Sequence, residues 1–413
     1  MEVVHQRCAG LDVHKKSVTV CRITPQANGT WQKDIRKFDT MTDDLLSLAD
    51  WLRAGEVTHV AMESTGVYWK PLFNILEDEF EVLLVNAQHI KYVPGRKTDI
   101  KDAQWIAELL QHGLLKASFI PKVDQRDLRD LTRYRTKLIQ ERTREINRVQ
   151  KVLEAANIKL GSVASNVLGV SGRDMLEQLI AGQEDPVVLA DLARGRLRQK
   201  IDDLERALKG EVRGTHRTLL KLHLEHIDEL NTKIHALNEE IERLLVPFDT
   251  THALEHLMTI PGVSHHTAEV ILAELGTDMS RFPSANHAAS WAGLAPGKNE
   301  SAGKNRSGKT TKGNKYLKAA LTQSAHVIGR SNDSYLSAQY RRLAARRGKK
   351  RAAIAVAHSI LVIAYHLLDR GTVYTDLGAD YFDRRSEHYI QKHLVKRLER
   401  LGYKVSIEPQ VAA

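Results

Sequence analysis

Four carboxylates in the first third of the chain stand where they can act together. Asp12 lies in the strand-like run GLDVHKKSV, and Glu63 follows the short apolar run THVAM. Asp99 and Asp102 are three residues apart at the start of a helical pattern, so they share one helix face. An acid ending one strand, a second ending another and a pair on the following helix can converge at one sheet edge. Like charges gathered in this way repel unless cations neutralise them. Hard oxygen donors suit Mg²⁺, and a pair of such ions stabilises attacking and leaving oxygens in phosphoryl transfer. Each acid also has an ordinary structural reading when taken singly. Asp99 suits a helix N-terminus, and acids at i,i+3 are common on solvated faces.

A second group of residues points to a polyanion. The chain carries 61 Lys and Arg against 51 Asp and Glu, a net charge of +10. Residues 251–413 hold 24 basic and 13 acidic residues, net +11, so this one region exceeds the charge of the whole. Residues 298–351 alone hold 15 basic residues and two acidic ones, Glu300 and Asp333. Nucleic acid is the simplest partner for such a segment. Lys298, Lys304, Arg306, Lys309, Lys312 and Lys315 stand among Gly, Ser, Thr and Asn, residue types that suit phosphate contacts. The same stretch offers the hydroxyls of Ser301, Ser307, Thr310 and Thr311, and a serine can attack a phosphodiester if metals or bases activate it. Gly303 to Thr310 also matches the phosphate-binding pattern G-x-x-x-x-G-K-[ST]. That pattern needs a buried strand before it and an unbroken helix after it. Here Pro296 and Gly297 precede it and Gly313 follows, so a flexible cationic loop is the better reading.

The elements that must position these groups fall into regions of different character. A length of 413 residues predicts two or three domains, and 42% hydrophobic with 27% charged residues excludes a disordered, collagen-like or disulfide-stapled chain. Residues 1–120 read as α/β: GLDVHKKSVTVCRIT, THVAM and EVLLVN predict strands, and 68–78 and 99–112 predict helices. A mixed or parallel sheet is expected from this alternation. In 121–250, Ile227, Leu230, Ile234, Leu237, Ile241 and Leu244 are spaced 3, 4, 3, 4, 3, an a/d seam. Leu197, Ile201, Leu204 and Leu208 continue that style, and Ile139, Ile146 and Leu153 give a weaker seam. An elongated antiparallel coiled coil, interrupted near 161–186, is expected, with an ordinary helical bundle as the other possibility.

In 251–370, IPGV at 260–263 leads into a predicted helix, like a helix-hairpin-helix element whose turn amides can hold a phosphate. Residues 298–314 read as a long polar loop, with helices on either side of 330–350. The apolar run 352–368 is shorter than the ~20 residues of a membrane span and carries two histidines, so a core helix is expected. Residues 371–413 read as a polar tail with some helix and no assigned role. The two cysteines, Cys8 and Cys21, lack metal-ligand spacing, and the N-terminus lacks the order of a signal peptide. A cytoplasmic, nucleoid-associated protein with no membrane partner is expected.

Together these motifs resemble one family. GLDVHKKSV, AMESTGVYW and GRKTDIKDAQWIAELLQHG, followed by TIPGVSHHTAEVILAELG and SWAGLAPGKNESAGKNRSGKTTKGNKYLKAAL, are similar to the DEDD transposases of bacterial insertion sequences, the insertion-sequence one-ten group. The likeness runs over residues 6–370 in the expected order. It implies an RNase H-like (RuvC-like) N-terminal domain at 1–120, a coiled-coil dimerisation region at 121–250 and a helical C-terminal transposase domain at 251–370. It implies a recombinase guided by a structured bridge RNA that pairs with donor and target double-stranded DNA. By position, Asp12, Glu63, Asp99 and Asp102 match the Mg²⁺ ligands, and Ser301 matches a serine that forms a covalent phosphoserine link. Ala302 stands where the family commonly has glycine, which keeps Ser307 as the alternative. The resemblance also implies a homodimer that assembles as a dimer of dimers, with carboxylates and serine coming from different protomers. Two other readings fit the residues: a junction-resolving endonuclease of the same fold that uses water, and a non-catalytic nucleic-acid-binding scaffold.

Overall fold

The computed structural model describes residues 2–64, 66–86, 99–249, 251–297, 300–301, 304–305, 309–385 and 387–407, with backbone only at 99–101, 300, 301, 304, 305 and 390. The chain divides into two compact units, Met1–Pro121 and Lys122–Ala413.

The first unit is built on a five-stranded sheet. Its strands are β1 (Cys8–Val13), β2 (Ser17–Pro25), β3 (Trp31–Asp39), β4 (His59–Glu63) and β5 (Glu81–Val85). Their order across the sheet is β3-β2-β1-β4-β5, antiparallel on the β3-β2-β1 side and parallel from β1 through β4 to β5. The run predicted over 10–24 is therefore a hairpin, turned at His14–Lys16, where His14 N donates to Ser17 O at 3.0 Å. β1 is buried along its whole length, as expected of a central strand covered on both faces. β3 is the charged edge strand WQKDIRKFD, a composition that discourages further pairing.

Alternation along β1 sends its residues to two cores. Ala9, Leu11 and Val13, with Val60 and Met62 of β4, pack under helices α1 (Thr42–Ala54) and α2 (Trp69–Leu76), against Leu48, Leu52, Leu72 and Leu76. Cys8, with Cys21, Ala61 and Val85, packs against Ala103, Ile106, Ala107 and Leu110 of α3 (Asp99–Gln111) on the other face. Burial pushes the thiols of Cys8 and Cys21 up, to about 12 and about 11, so both are inert core groups.

Gly10 sets how closely α3 approaches β1. A Cβ there would lie 2.2 Å from Ala107 N and 2.4 Å from Ala103 O. Gly10→Ala must push α3 off the sheet, and a cost of about 1–3 kcal/mol is expected from such overpacking. Urea unfolding of the full chain measures it, and an unchanged midpoint would show that α3 is not held in this way.

In the second unit, α4 (Val123–Ala155) and α9 (Gly214–Phe248) form an antiparallel helical hairpin, α9 being 35 residues and about 50 Å long. The partner number falls as the α4 number rises: Arg135 Nη1 donates to Asn238 Oδ1 at 3.0 Å, Arg142 Nη1 to Asn231 Oδ1 at 2.9 Å, and His223 Nδ1 meets Glu145 Oε2 at 2.8 Å. The seam residues Ile227, Leu230, Ile234 and Ile241 are buried within this chain. Leu230 and Ile234 pack on Leu138 of α4.

A small helical cap closes the hairpin. It holds α5 (Leu160–Val163), α6 (Val170–Ala181), α7 (Pro186–Asp191), a 3₁₀ turn at Gly195–Lys200 and α8 (Ile201–Ala207) around Leu160, Met175, Leu179, Leu189 and Leu204. Leu197, Ile201, Leu204 and Leu208 do not continue the seam along a long helix but pack in this cap core, with Val149 and Leu153 of α4 and Leu220, Leu224 and Ile227 of α9. Gly195, at φ +58°, starts the 3₁₀ turn that breaks any long helix there.

Among the described residues, the rest of the second unit holds a short two-stranded ribbon and the helices α10 (Ala253–Met258), α11 (His265–Leu275), α12 (Ala285–Trp291), α13 (Lys315–Ile328), α14 (Tyr335–Arg347), α15 (Lys349–Arg370), α16 (Tyr381–Arg385) and α17 (Glu387–Arg400). α15 is long and apolar enough to cross a membrane. Its Ala352, Ala353, Val356, Ala357, Ile360, Leu361 and Ala364 are buried, as the sequence expectation of a core helix requires.

Candidate functional site

Asp12 and Glu63 are brought side by side by strand register. β1 and β4 run parallel with Leu11 opposite Met62, so the next residues along the two strands are Asp12 and Glu63. Neighbouring strands are about 4.8 Å apart, and residues in register project from the same face. Both acids fall on the α3 face, Asp12 in phase with Cys8 and Gly10 and Glu63 in phase with Ala61. Asp12 is 8% exposed and Glu63 is half-buried.

α3 runs antiparallel to β1. Cys8 Sγ meets Ala107 O at 3.7 Å, while Gly10 lies against both Ala107 and Ala103. Two residues along a strand and four along a helix both cover about 6 Å, so the next step pairs Asp12 with the level of Asp99. The start of α3, with Asp99 and Asp102, thus lies toward the ends of β1 and β4 that carry Asp12 and Glu63. The Asp99 side chain lies outside the described residues. Among the described residues, no group of three or more His, Cys, Asp or Glu side chains is gathered closely enough to hold a metal ion. The acids that the fold aligns nonetheless make an all-oxygen donor set, the kind that hard divalent cations take.

His14 joins the site although sequence reasoning did not single it out. Its Nε2 lies 3.0 Å from Asp12 Oδ2, and its ring is largely exposed. It follows Asp12 by two residues, the spacing that returns to the same side of an extended strand, and that was the available clue.

The basic segment is not a simple loop. Pro296 bridges Thr310 in antiparallel fashion, and Gly297 N donates to Lys309 O at 3.0 Å. Further out, β6 (Glu300–Ser301) pairs with β7 (Lys304–Asn305), Glu300 opposite Asn305 and Ser301 opposite Lys304. The described parts of the segment thus pair antiparallel at two levels, Pro296–Gly297 with Lys309–Thr310 and Glu300–Ser301 with Lys304–Asn305, and we call it the arm. An antiparallel return at Lys309–Thr311 also rules out the strand-to-helix turn that the glycine-lysine pattern requires. Lys309, Lys312 and Lys315 are exposed. Lys298, Arg306 and Ser307 lie outside the described residues.

The root of the arm is pinned by a buried ionic network. A Cβ on Gly313 would lie 2.3 Å from Gly293 N, so the two sides of the arm touch backbone to backbone at their base. Asn314 caps α13, its Oδ1 accepting from Tyr316 N and Leu317 N at 3.1 Å each. Its Nδ2 donates to Glu274 Oε2 at 2.6 Å. Glu274 is fully buried and also receives Arg133 through two bonds of 2.7 Å. Arg129 Nε donates to Ala273 O at 3.0 Å, and burial pulls the Arg129 guanidinium down to about 10 against the pull of Glu274.

Arg135 meets Glu269 at 2.5 Å. Burial raises the Glu269 carboxyl, but hydrogen bonds from His266 and Arg135 outweigh it and hold the group below its usual range. The base of the α4–α9 hairpin is therefore fixed to α11 and, through Asn314, to the arm. The IPGV stretch lies in the turn that joins α10 to α11. Gly262, at φ +78°, sits in that turn with no room for a Cβ beside Ile328 of α13.

Comparisons with known proteins bear on both units. Residues 9–158 match a family model described as a DEDD transposase of the IS110 type, and residues 254–341 match one described as the transposase IS116/IS110/IS902 family. Together these stretches span more than half of the chain. The transposase for insertion sequence element IS1111A of Coxiella burnetii is 24% identical over 88% of this chain and 90% of its own length. A probable family 20 transposase of Pseudomonas aeruginosa is 25% identical over 76% of this chain and 85% of its own. The pilin gene-inverting protein of Moraxella bovis is 24% identical over 87% of this chain and 94% of its own.

Proposed function

The chain belongs to the IS110 family of transposases, and from that premise we propose that it moves an insertion sequence by RNA-guided recombination through a phosphoserine link. It is a DNA transposase, an enzyme that breaks and rejoins DNA strands. The observation that carries the finer reading is the register of Asp12 beside Glu63 on parallel strands, with α3 aligned to bring Asp99 and Asp102 to the same end. The strand order β3-β2-β1-β4-β5, with an antiparallel half and a parallel half, supports an RNase H-like first unit.

Asp12, Glu63, Asp99 and Asp102 would hold Mg²⁺. Bound there, the metal supplies Lewis-acid polarisation of the scissile phosphate and neutralises gathered negative charge. Ser301 Oγ attacks the phosphorus and gives up its proton to solvent. The bond from phosphorus to a sugar oxygen breaks, and that oxygen leaves as a hydroxyl. The serine phosphodiester keeps the bond energy until a hydroxyl of another strand attacks it and frees the serine. Lys304, Lys309 and Lys312 counter the phosphate charge along the arm. Base pairing to a structured guide RNA chooses donor and target, while the protein reads backbone and shape.

The carboxylates and the serine belong to different units, which accords with a homodimer, or a dimer of dimers, whose protomers exchange these parts. The seam residues Ile227, Leu230, Ile234 and Ile241 are buried inside the chain, so that seam is not what joins two protomers. RNA guidance is tested by purifying the protein from cells that carry its flanking DNA and sequencing the RNA that comes with it. One discrete, foldable RNA encoded beside the gene is expected. Fragments of no defined sequence, or no RNA, would contradict guidance and leave a transposase that finds its sites unaided.

A further inference from the structure

Both family matches end at or before residue 341, yet the tail beyond α15 is a built segment. Tyr374 N donates to Thr259 Oγ1 at 2.9 Å, and Tyr335 N donates to Asp376 Oδ1 at 3.0 Å. Tyr335 stacks on Phe382 at 5.2 Å and meets Tyr381 edge-on at 5.1 Å, which fastens α16 to α14. α17 follows, and on it Tyr389, His393, Lys396, Arg397 and Arg400 fall at i, i+4, i+7, i+8 and i+11, one helix face.

Two hollows open along this face. One, of about 490 Å³, has Arg341, Arg342, Phe382, Asp383 and Tyr389 in its lining. The other, of about 340 Å³, is lined by His393, Lys396, Arg397 and Arg400. The rings of Tyr389 and His393 lie 6.3 Å apart and nearly parallel, which joins the two. Arg341 is oriented by Asn332, at 2.9 Å from its Oδ1, and the Arg342 guanidinium lies 5.2 Å over the Phe382 ring. Among the described residues, Lys396, Arg397 and Arg400 have no ion-pair partner, and Tyr389 is 72% exposed.

We propose that this face binds an unpaired stretch of nucleic acid, with a base stacked on Tyr389 and phosphates on Arg341, Arg342, Lys396, Arg397 and Arg400. An exposed ring beside a row of free cations is how single strands are held without sequence preference. Bases inside a duplex are already stacked on each other and cannot use such a ring. Single-stranded DNA and RNA share this chemistry. The inference rests on the reading of the chain as a nucleic-acid enzyme, and it gives the tail a role in that work.

Binding of the full-length protein to labelled single-stranded DNA, single-stranded RNA of the same sequence and the DNA duplex tests it by fluorescence anisotropy. Tyr389→Ala is expected to weaken single-strand binding roughly 5- to 160-fold, the value of one base–aromatic stack, and to leave duplex binding unchanged. Tyr389→Phe restores it. Replacing Lys396, Arg397 and Arg400 together by Ala lowers the salt slope for a single strand by about 2. α17 is exposed, so circular dichroism should show these variants folded. A loss on RNA alone or DNA alone supports the site and names the source. Unchanged single-strand binding in both variants overturns the inference, as does an equal loss on the duplex. If Lys309→Ala with Lys312→Ala loses the duplex while the α17 variants lose nothing, the inference fails and the enzyme reading stands. Wild-type protein that binds none of the three overturns both.

Discussion

Asp12→Asn is expected to slow DNA strand cleavage by at least about a thousandfold, some 4 kcal/mol of transition-state stabilisation, while leaving the fold intact. The substitution keeps the size of the side chain and removes its charge. In the structure Asp12 is buried beside Glu63 in register, and its one described polar partner is the exposed His14 ring. A structural carboxylate in such a place would be tied to backbone or to a buried cation. Two acids side by side cost stability in the apo protein, so removing one charge should leave the unfolding midpoint equal or slightly higher. Cleavage of a DNA substrate in Mg²⁺, measured beside thermal unfolding, checks both halves. Lost activity with lost stability would make Asp12 a structural residue. Retained cleavage would leave the carboxylate cluster without a catalytic part.

Ser301→Ala separates the serine mechanism from hydrolysis. A transposase that attacks through Ser301 should lose cleavage and joining together, again by more than about a thousandfold, because the nucleophile itself is gone. A junction endonuclease that uses water would keep cutting. Ser301 lies in the arm, where β6 and β7 pair over two residues each. The arm's root at Gly293, Gly313 and Asn314 is distant from it along the chain. Ser307→Ala serves as the companion variant and should retain activity. If Ser307→Ala is dead and Ser301→Ala is active, the nucleophile moves six residues along the arm and the rest of the mechanism stands.

Much of the first unit was legible because burial imposes simple patterns. THVAM and EVLLV are continuous apolar runs, and they became β4 and β5. Asp99–Gln111 keeps a helical period with Ala103, Ile106, Ala107 and Leu110 facing the sheet. β3 was missed because an edge strand of mostly exposed, charged residues shows no apolar alternation. α1 was missed although Leu45, Leu48, Ala49 and Leu52 mark its buried face. The seam from Ile227 to Ile241 announced a partner helix but could not say whose. Local spacing specifies a contact face, whereas the match of α9 with α4 is a long-range choice made by packing such as Leu138 against Leu230 and Ile234. The arm was hidden because strands of two residues carry no period. The candidate carboxylates were visible as acids at element ends, but their register, and the part of Gly10 in setting the height of α3, belong to tertiary packing.

The most direct measurement traps the reaction on DNA that carries an element end, in Mg²⁺ and with whatever RNA co-purifies with the protein. The mixture is denatured, digested with nuclease and protease, and the peptides are read by mass spectrometry. A nucleotide covalently bound to the Ser301 peptide in the wild type, and absent from Asp12→Asn, is the expected result. Cut DNA with free ends and no nucleotide on any serine peptide would contradict the phosphoserine mechanism.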